Sequence, residues 1–82
     1  MGSEEAVLYG SDECDETRAI AQLLREMGVD FRFKVVNRDA AAQLEWEQLD
    51  GERVPMLRMG NRAIVRGLDQ VRIQQLFGWV GC

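Results

Sequence analysis

The chain has 82 residues and a net charge of −4, with two cysteines, one proline and no histidine. Its length suits one small domain, and its 46% apolar and 29% charged residues are typical of a globular protein rather than a disordered one. The missing histidine excludes Ser-His-Asp and Cys-His pairs and histidine-ligated zinc, so any chemistry must depend on a thiol, a carboxylate or shape.

The first half of the chain predicts a strand, a helix and a second strand. The apolar run Ala6–Tyr9 ends at a polar turn that begins with Gly10, which is typical of a buried strand. From about Asp15 the pattern becomes helical, and Gly28 supplies the stop. The apolar face of this helix consists of Ile20, Leu23, Leu24 and Met27. The alternating run 31–36 is rich in aromatic and β-branched residues and predicts the second strand.

The second half predicts a helix, a hairpin and a last helix. Asp39 is a good N-cap for a helix that extends to about Leu49. Its weak apolar face consists of Ala41, Leu44, Trp46 and Leu49. A Gly60-Asn61 turn between two short apolar runs predicts the hairpin. The last helix is expected from about Asp69 to Phe77, and its apolar face consists of Ile73, Leu76, Phe77 and Val80.

The order β-α-β-α-β-β-α predicts an α/β fold. A strand-helix-strand start implies a parallel right-handed crossover, and the hairpin adds antiparallel strands to the same four-stranded mixed sheet. Helices are expected on both faces of this sheet. No linker or repeat interrupts the chain, so we expect a single domain over residues 1–82, with a polar lead-in at 1–5 and a tail at 78–82.

Two residues are candidates for chemistry. Cys14 lies between the first strand and the first helix, where the unpaired N–H groups and the positive dipole end of a helix stabilise a thiolate. Pro55 precedes the hairpin, where a rigid turn places backbone beside that helix end, and the Val54-Pro55 bond is a candidate for the cis form. The plainer alternatives are a half-buried thiol without a role and an ordinary turn proline.

These features, in this topology, resemble the glutaredoxin family of the thioredoxin-fold superfamily over about residues 6–77. The matching segments are Leu8-Tyr9 leading to Cys14, Met27 to Phe31, Val54-Pro55, Gly60-Asn61-Arg62 and Gly67-Leu68-Asp69. The resemblance implies a thioredoxin-like fold and a glutathione-dependent thiol–disulfide oxidoreductase. Glutathione would be its co-substrate, and glutathionylated thiols would be its partners.

The resemblance also assigns roles to residues. Cys14 would attack glutathione mixed disulfides, and Val54 with Pro55 would hold the cysteinyl unit of glutathione. The γ-glutamyl end would be held by a turn formed by Gly67, Leu68 and Asp69. Gln70 would take part of the role of Asp69 if the register differs by one residue. Asp69 is also simply a good helix N-cap.

The reactive motif departs from the family pattern. Cys14-Asp15-Glu16-Thr17 replaces the usual Cys-Pro-Tyr-Cys, and it also differs from the Cys-Gly-Phe-Ser of iron–sulfur carriers. Because Thr17 stands where the second cysteine would be, only a single-thiol route remains, in which the Thr17 hydroxyl would hydrogen-bond the thiolate. Arg53 stands where threonine is common and would pair with a glutathione carboxylate. Cys82 is expected to be a tail thiol, with a resolving role as the alternative.

Charge is distributed unevenly along the chain. Residues 1–16 carry six acidic side chains and no basic one, while residues 53–82 carry five arginines against Asp69 alone. We expect the acids nearest Cys14 to offset the helix terminus and to make its thiolate weaker than in typical glutaredoxins. Those acids are Asp12, Glu13, Asp15 and Glu16. The arginines favour a small anionic ligand, with an exposed basic surface as the alternative.

Composition also bears on partners and location. An acidic chain without a basic stripe is a poor partner for nucleic acid, and no apolar run is long enough for a membrane span. The N-terminus does not resemble a signal peptide, and the two cysteines are widely spaced, so we expect a cytoplasmic protein. We also expect a monomer without a metal site.

Three other functions fit the pattern less well. A degenerate thioredoxin-fold module would bind glutathione or a protein partner without turnover, and the altered motif favours this alternative most. An iron–sulfur carrier would share a cluster between two subunits, but the motif does not match. The segment 54–57 is also similar to the N-terminal domain of glutathione transferases, whose second, helical domain is absent from this sequence.

Overall fold

The predicted order of strands and helices is confirmed. The computed structural model describes residues 6–60 and 63–76. Its elements are β1 (Ala6–Gly10), α1 (Asp15–Glu26), β2 (Phe31–Val35), α2 (Ala40–Gln48), β3 (Met56–Met59), β4 (Ala63–Arg66) and α3 (Gln70–Leu76). In this part of the chain, no helix is long and apolar enough to cross a membrane.

The sheet is built around β1. The strand order is β2-β1-β3-β4, in which β1 pairs in parallel with β2 and in antiparallel with β3, while β3 and β4 form the predicted hairpin. In the middle of the sheet, Leu8 lies opposite Phe33 on one side and Leu57 on the other. All five residues of β1 are buried, which explains the unbroken apolar run in the sequence.

The alternation of side chains along the strands produces one core on each face of the sheet. Ala6 and Leu8 point to the face covered by α1 and α3, and Val7 and Tyr9 point to the face covered by α2. The first core is completed by Ile20, Ala21, Leu24, Leu57, Met59, Val65 and Ile73. The second core is completed by Val36, Ala42 and Met56. Helices therefore cover both faces, as predicted.

The inward face of α2 differs from the prediction. Ala42 is buried and Trp46 and Leu49 pack beside it, whereas Ala41 is exposed and the side chain of Leu44 is 56% exposed. Positions 42, 46 and 49 lie on one stripe of the helix, and Glu45 lies on the same stripe. A glutamate on the buried side obscured the apolar pattern. Trp46 is a packing residue, as expected.

Glu45 faces the sheet because it completes a half-buried polar network. The hydroxyl of fully buried Tyr9 donates to the Glu45 carboxylate, which also accepts from Lys34 Nζ at 2.8 Å. The Arg58 Nε donates to the Tyr9 hydroxyl at 3.3 Å. Burial, followed by this hydrogen bond to Glu45, raises the pKa of Tyr9, and the hydrogen bond from Lys34 holds the pKa of Glu45 below its ordinary value. The network therefore links α2 to β1, β2 and β3.

The ends of the helices follow their capping residues. The Asp39 carboxylate accepts hydrogen bonds from the backbone N–H groups of Ala41 and Ala42, which makes Asp39 the predicted N-cap of α2. Gly28, after α1, has a φ of +73°, a conformation that favours glycine. Several sequence predictions lie outside the described residues, namely those for Asn61, Arg62, the side chain of Leu76, Phe77, Val80, Cys82 and the segments 1–5 and 78–82.

Two leucines that both lie on helices test this account of the core. Leu24 is fully buried between α1 and the sheet, whereas Leu44 on α2 is mostly exposed. We expect Leu24→Ala to lower the free energy of unfolding by about 2–5 kcal/mol, because it removes buried apolar contacts and leaves a cavity. Leu44→Ala should change it by less than about 0.5 kcal/mol. Urea denaturation measures both changes, and equal losses in the two variants would contradict the assigned faces.

Candidate active site

Three segments meet at one edge of the sheet. The carboxyl end of β1 leads to Cys14, and Pro55 directly precedes β3, which runs antiparallel to β1. The carboxyl end of β4 leads to Gly67, whose backbone N–H donates to the Pro55 carbonyl at 2.9 Å. The Val54-Pro55 peptide bond is cis, as the sequence suggested. The topology therefore places the thiol loop, the proline and the last turn at the same edge.

Cys14 is the N-cap residue of α1. Its carbonyl accepts from the backbone N–H of Arg18 at 3.2 Å, and its own N–H donates to the Ser11 carbonyl at 3.2 Å. The thiol is free and half-exposed, and the side chain makes no capping hydrogen bond of its own. The sulfur is thus accessible while it lies at the helix end that stabilises an anion.

Thr17 supports the thiol from the first turn of α1. Its side chain is 1% exposed, and its hydroxyl accepts a hydrogen bond from the Ser11 backbone N–H at 3.4 Å. A side chain at Gly10 would overlap the Thr17 side chain, so the end of β1 is a glycine because α1 starts immediately above it. Cys14 and Thr17 are therefore brought together as the sequence predicted.

The Cys14 thiol is acidified by its surroundings. The hydrogen bond from the Thr17 hydroxyl is the largest cause that lowers the pKa of Cys14, and the backbone N–H groups of Thr17 and Glu16 act in the same direction. Burial of the sulfur and the charge of Glu16 oppose this effect. The pKa of Cys14 nevertheless lies below its ordinary value. This lowering is relative to a free thiol, and the expectation that the thiolate is weaker than in typical glutaredoxins stays a prediction.

Two of the four acids near Cys14 are paired with basic side chains. The Asp12 carboxylate forms an ion pair with Arg38 and accepts from the Asn37 amide at 3.2 Å. The hydrogen bond from Asn37, followed by the interaction with Arg38, keeps the pKa of Asp12 below its ordinary value. Asp15 pairs with Arg18 at 3.3 Å between Oδ1 and Nη1. Sequence reasoning missed Asn37 and Arg38, which come from the loop between β2 and α2.

A basic groove lies beside Pro55. It has a volume of about 310 Å³ and is lined by Glu52, Arg53, Arg66 and Gly67. Arg53 and Gly67, two of the residues predicted to bind glutathione, therefore share one concave surface. Arg66 Nη2 donates to the Leu49 carbonyl at 3.3 Å, which positions this second guanidinium at the groove. Arg66 could be anticipated only from the excess of arginine in this half of the chain.

The residues Val54, Leu68 and Asp69, also predicted to bind glutathione, do not line the basic groove. The side chain of Val54 is half-buried and packs against the core under α2. Asp69 caps α3, because its carboxylate accepts from the Arg72 N–H at 3.1 Å, and Gln70 is the first residue of the helix. Leu68 is 45% exposed and lines a separate groove of about 280 Å³ between α1 and α3. Leu68 and Arg53 thus lie on different surfaces.

A larger groove borders the thiol loop on the side of β2. Its volume is about 420 Å³. Ser11 and Thr17 line the end of the groove next to Cys14, and Phe33 of β2, whose side chain is 42% exposed, lines it as well. The remaining lining residues are Asp12, Arg18, Ala21, Gln22 and Arg25. Within residues 6–60 and 63–76, acidic and cysteine side chains form no group of three suited to a metal ion.

The mixed sheet, the helices on both faces and the cysteine at the start of α1 define a thioredoxin-like fold of the glutaredoxin type. No family model matches the chain, and no curated protein matches it. Solved structures do match. A single-residue mutant of the thioredoxin-like protein BC3987 is similar with a TM-score of 0.83 and 21% identity, covering 90% of this chain and 95% of that one.

Two other solved structures show the same fold. The glutaredoxin-like protein NrdH-redoxin from Escherichia coli has a TM-score of 0.78 and 19% identity, over 88% of this chain and 93% of its own. A buckwheat glutaredoxin in complex with glutathione has a TM-score of 0.69 and 20% identity, over 94% of this chain and 73% of its own. At such low identities the similarity establishes the fold, and function has to be argued from the site.

Removing the Thr17 hydroxyl should weaken the thiolate. A hydrogen bond to a charged group contributes about 1.5–3 kcal/mol, so Thr17→Val should slow alkylation of Cys14 by iodoacetamide about tenfold or more at a pH below the pKa of the thiol. The pH profile should move to higher pH, because less of the thiol is ionised at each pH. Alkylation is measured in a Cys82→Ser background, so that Cys14 is the one thiol that reacts with iodoacetamide. Thr17→Ser retains the hydroxyl and should stay near the parent; an unchanged Thr17→Val profile would contradict the assignment.

Proposed function

We propose that the protein is a glutathione-dependent thiol–disulfide oxidoreductase that acts through a single nucleophilic cysteine, Cys14. The observation that carries the proposal is the half-exposed Cys14 at the N-terminus of α1, whose thiol pKa is lowered through Thr17 and which lies at the same sheet edge as the cis Val54-Pro55 bond. A lowered thiol pKa increases the thiolate fraction near neutral pH, and the thiolate is the attacking species in disulfide exchange.

The proposed reaction has two exchange steps. The Cys14 thiolate attacks the glutathione sulfur of a mixed disulfide, a new disulfide joins Cys14 to glutathione, and the substrate leaves as a thiolate that takes a proton from solvent. The thiolate of a second glutathione then attacks the glutathionyl sulfur on Cys14. Oxidised glutathione leaves, and the Cys14 thiolate is restored. Overall, the mixed disulfide and one reduced glutathione become the substrate thiol and oxidised glutathione, so the disulfide bond of the substrate is exchanged for the disulfide bond of oxidised glutathione.

The single-thiol route follows from the residue at position 17. A disulfide inside the motif requires a second thiol one helical turn after Cys14, where this chain has the buried hydroxyl of Thr17. The glutaredoxin-like NrdH-redoxin, which has the same fold, has a thioredoxin-like activity profile. The missing second thiol favours the glutathione route, because an external thiol must then release the product.

The basic groove supports glutathione as the co-substrate. Glutathione carries two carboxylates and one ammonium group, and the groove beside Pro55 presents Arg53 and Arg66. The cis proline places backbone groups next to this groove, and Gly67, with a φ of +78°, leaves the last turn without a side chain. The buckwheat glutaredoxin binds glutathione on the same fold. We propose a reducing, cytoplasmic location, where reduced glutathione is available.

The thiol assignment is tested by turnover. With a small glutathione mixed disulfide as substrate and a glutathione reductase couple as the readout, the native protein should turn over and Cys14→Ser should be inactive, because a serine hydroxyl does not exchange with disulfides. Cys82→Ser is the matched control and should keep full activity. Loss of activity in Cys82→Ser would instead support the resolving role of Cys82, and equal turnover by Cys14→Ser would refute the proposal.

A binding module without turnover remains the alternative outcome of that experiment. In this case the native protein would show no turnover, while reduced glutathione would still shift the amide resonances of Arg53, Val54 and Asp69 in NMR spectra. The altered residues that follow Cys14 are the reason to consider this alternative, because Asp15 and Glu16 replace uncharged residues of the usual motif.

The groove arginines should determine the affinity for glutathione rather than the chemistry. Arg53→Gln and Arg66→Gln should each raise KM for the glutathione mixed disulfide by up to about fivefold with little change in kcat, because exposed ion pairs contribute roughly 0.2–1 kcal/mol. The effect should diminish at high salt. Arg25→Gln, which lies outside this groove on α1, is the control. A drop in kcat without a change in KM would argue against carboxylate binding by these arginines.

A further inference from the structure

The loop that carries Cys14 is held to a second loop through Asp12. The Asp12 carboxylate accepts from Asn37 and pairs with Arg38, both in the segment between β2 and α2. The Asp12 carbonyl accepts from Arg18 Nη2 on α1 at 3.0 Å. Each polar oxygen of Asp12 is therefore occupied, and the carboxylate is directed toward Arg38.

This arrangement matters because of where Asp12 lies in sequence. Asp12 is two residues before Cys14 in a tight loop, in which the Cys14 N–H bonds back to Ser11. A carboxylate on this loop, without a partner, would repel a thiolate two residues away in sequence. Arg38 places a positive charge against the Asp12 carboxylate, so the pair carries no net charge. The charge of Glu16 raises the pKa of the thiol.

We propose that Arg38 is a positioning residue for Cys14: its ion pair with Asp12 neutralises the acid beside the reacting sulfur and keeps that carboxylate turned toward the β2–α2 loop. The inference rests on the proposed role of Cys14 as the reacting thiol. It assigns a function in thiol chemistry to a residue 24 positions away in sequence, outside the thiol motif, the proline turn and the last turn.

An electrostatic role and a purely structural role of the Asp12–Arg38 pair predict different alkylation rates for two variants. If charge is what matters, Arg38→Gln leaves Asp12 uncompensated and should slow alkylation of Cys14 about two- to threefold at a pH below the thiol pKa. Asp12→Asn leaves Arg38 uncompensated and should accelerate it by a similar factor. The double variant should return close to the parent, and Arg38→Lys should retain most of the parental rate. If the pair only held the loop in shape, both single variants would change the rate in the same direction.

The experiment measures the pH dependence of alkylation by neutral iodoacetamide in a Cys82→Ser background at low ionic strength. Repeating it in molar salt should shrink the differences, because exposed charges are screened within a few ångströms. Arg25→Gln and Asp30→Asn are matched charge controls. Arg25 lies 11 residues after Cys14, about 16 Å along α1, and Asp30 precedes β2 at the opposite edge of the sheet.

The outcomes separate this inference from the proposed function. Opposite shifts in the two single variants, cancelled in the double variant and reduced by salt, would support the charge role of Arg38. Shifts of the same sign, or no shift in either variant, would overturn it. Because alkylation involves no glutathione, a failure of turnover in the native protein would refute the oxidoreductase proposal and leave these rates unaffected.

Discussion

The complete burial of β1 is the constraint on which the rest of the structure depends. A strand that is covered on both faces and paired on both sides has no freedom to shift, since a slip of one residue would exchange the two cores. Its end at Gly10 therefore fixes where α1 can begin, and the glycine lets Thr17 pack directly above it. The location of Cys14 follows from the end of a strand rather than from contacts of its own.

Much of this fold could be predicted from local sequence patterns. The apolar run Ala6–Tyr9, the helical spacing that includes Ile20 and Leu24, and the capping residue Asp39 each specify an element through nearby residues. The inward face of α2 could not be predicted in this way. Glu45 lies on the buried stripe because Tyr9 and Lys34, from two different strands, require its carboxylate. A pattern that scores polarity alone assigns such a glutamate to solvent.

In the candidate site, too, some features follow from local sequence patterns and others depend on contacts between distant residues. The positions of Cys14, Thr17 and Pro55 relative to the strands were predictable, because each directly follows or precedes an element whose limits the sequence shows. The electrostatics of the thiol were predictable only in part, because Thr17 is local whereas the partners of Asp12, namely Asn37 and Arg38, are distant in sequence. The sequence prediction treated Asp12 and Asp15 as unpaired charges. In the structure, Arg38 pairs with Asp12, and Arg18 in the first turn of α1 pairs with Asp15.

The absence of histidine also has a clearer physical meaning in this structure. An imidazole base activates a thiol by removing its proton, whereas this chain stabilises the thiolate after the proton has left, through backbone N–H groups and the Thr17 hydroxyl. Thr17 is almost fully buried and held in the first turn of α1, which fixes its hydroxyl near the thiol loop. Thr17 thus stands where a dithiol motif has its second thiol, and in the proposed single-thiol mechanism it serves instead to stabilise the thiolate.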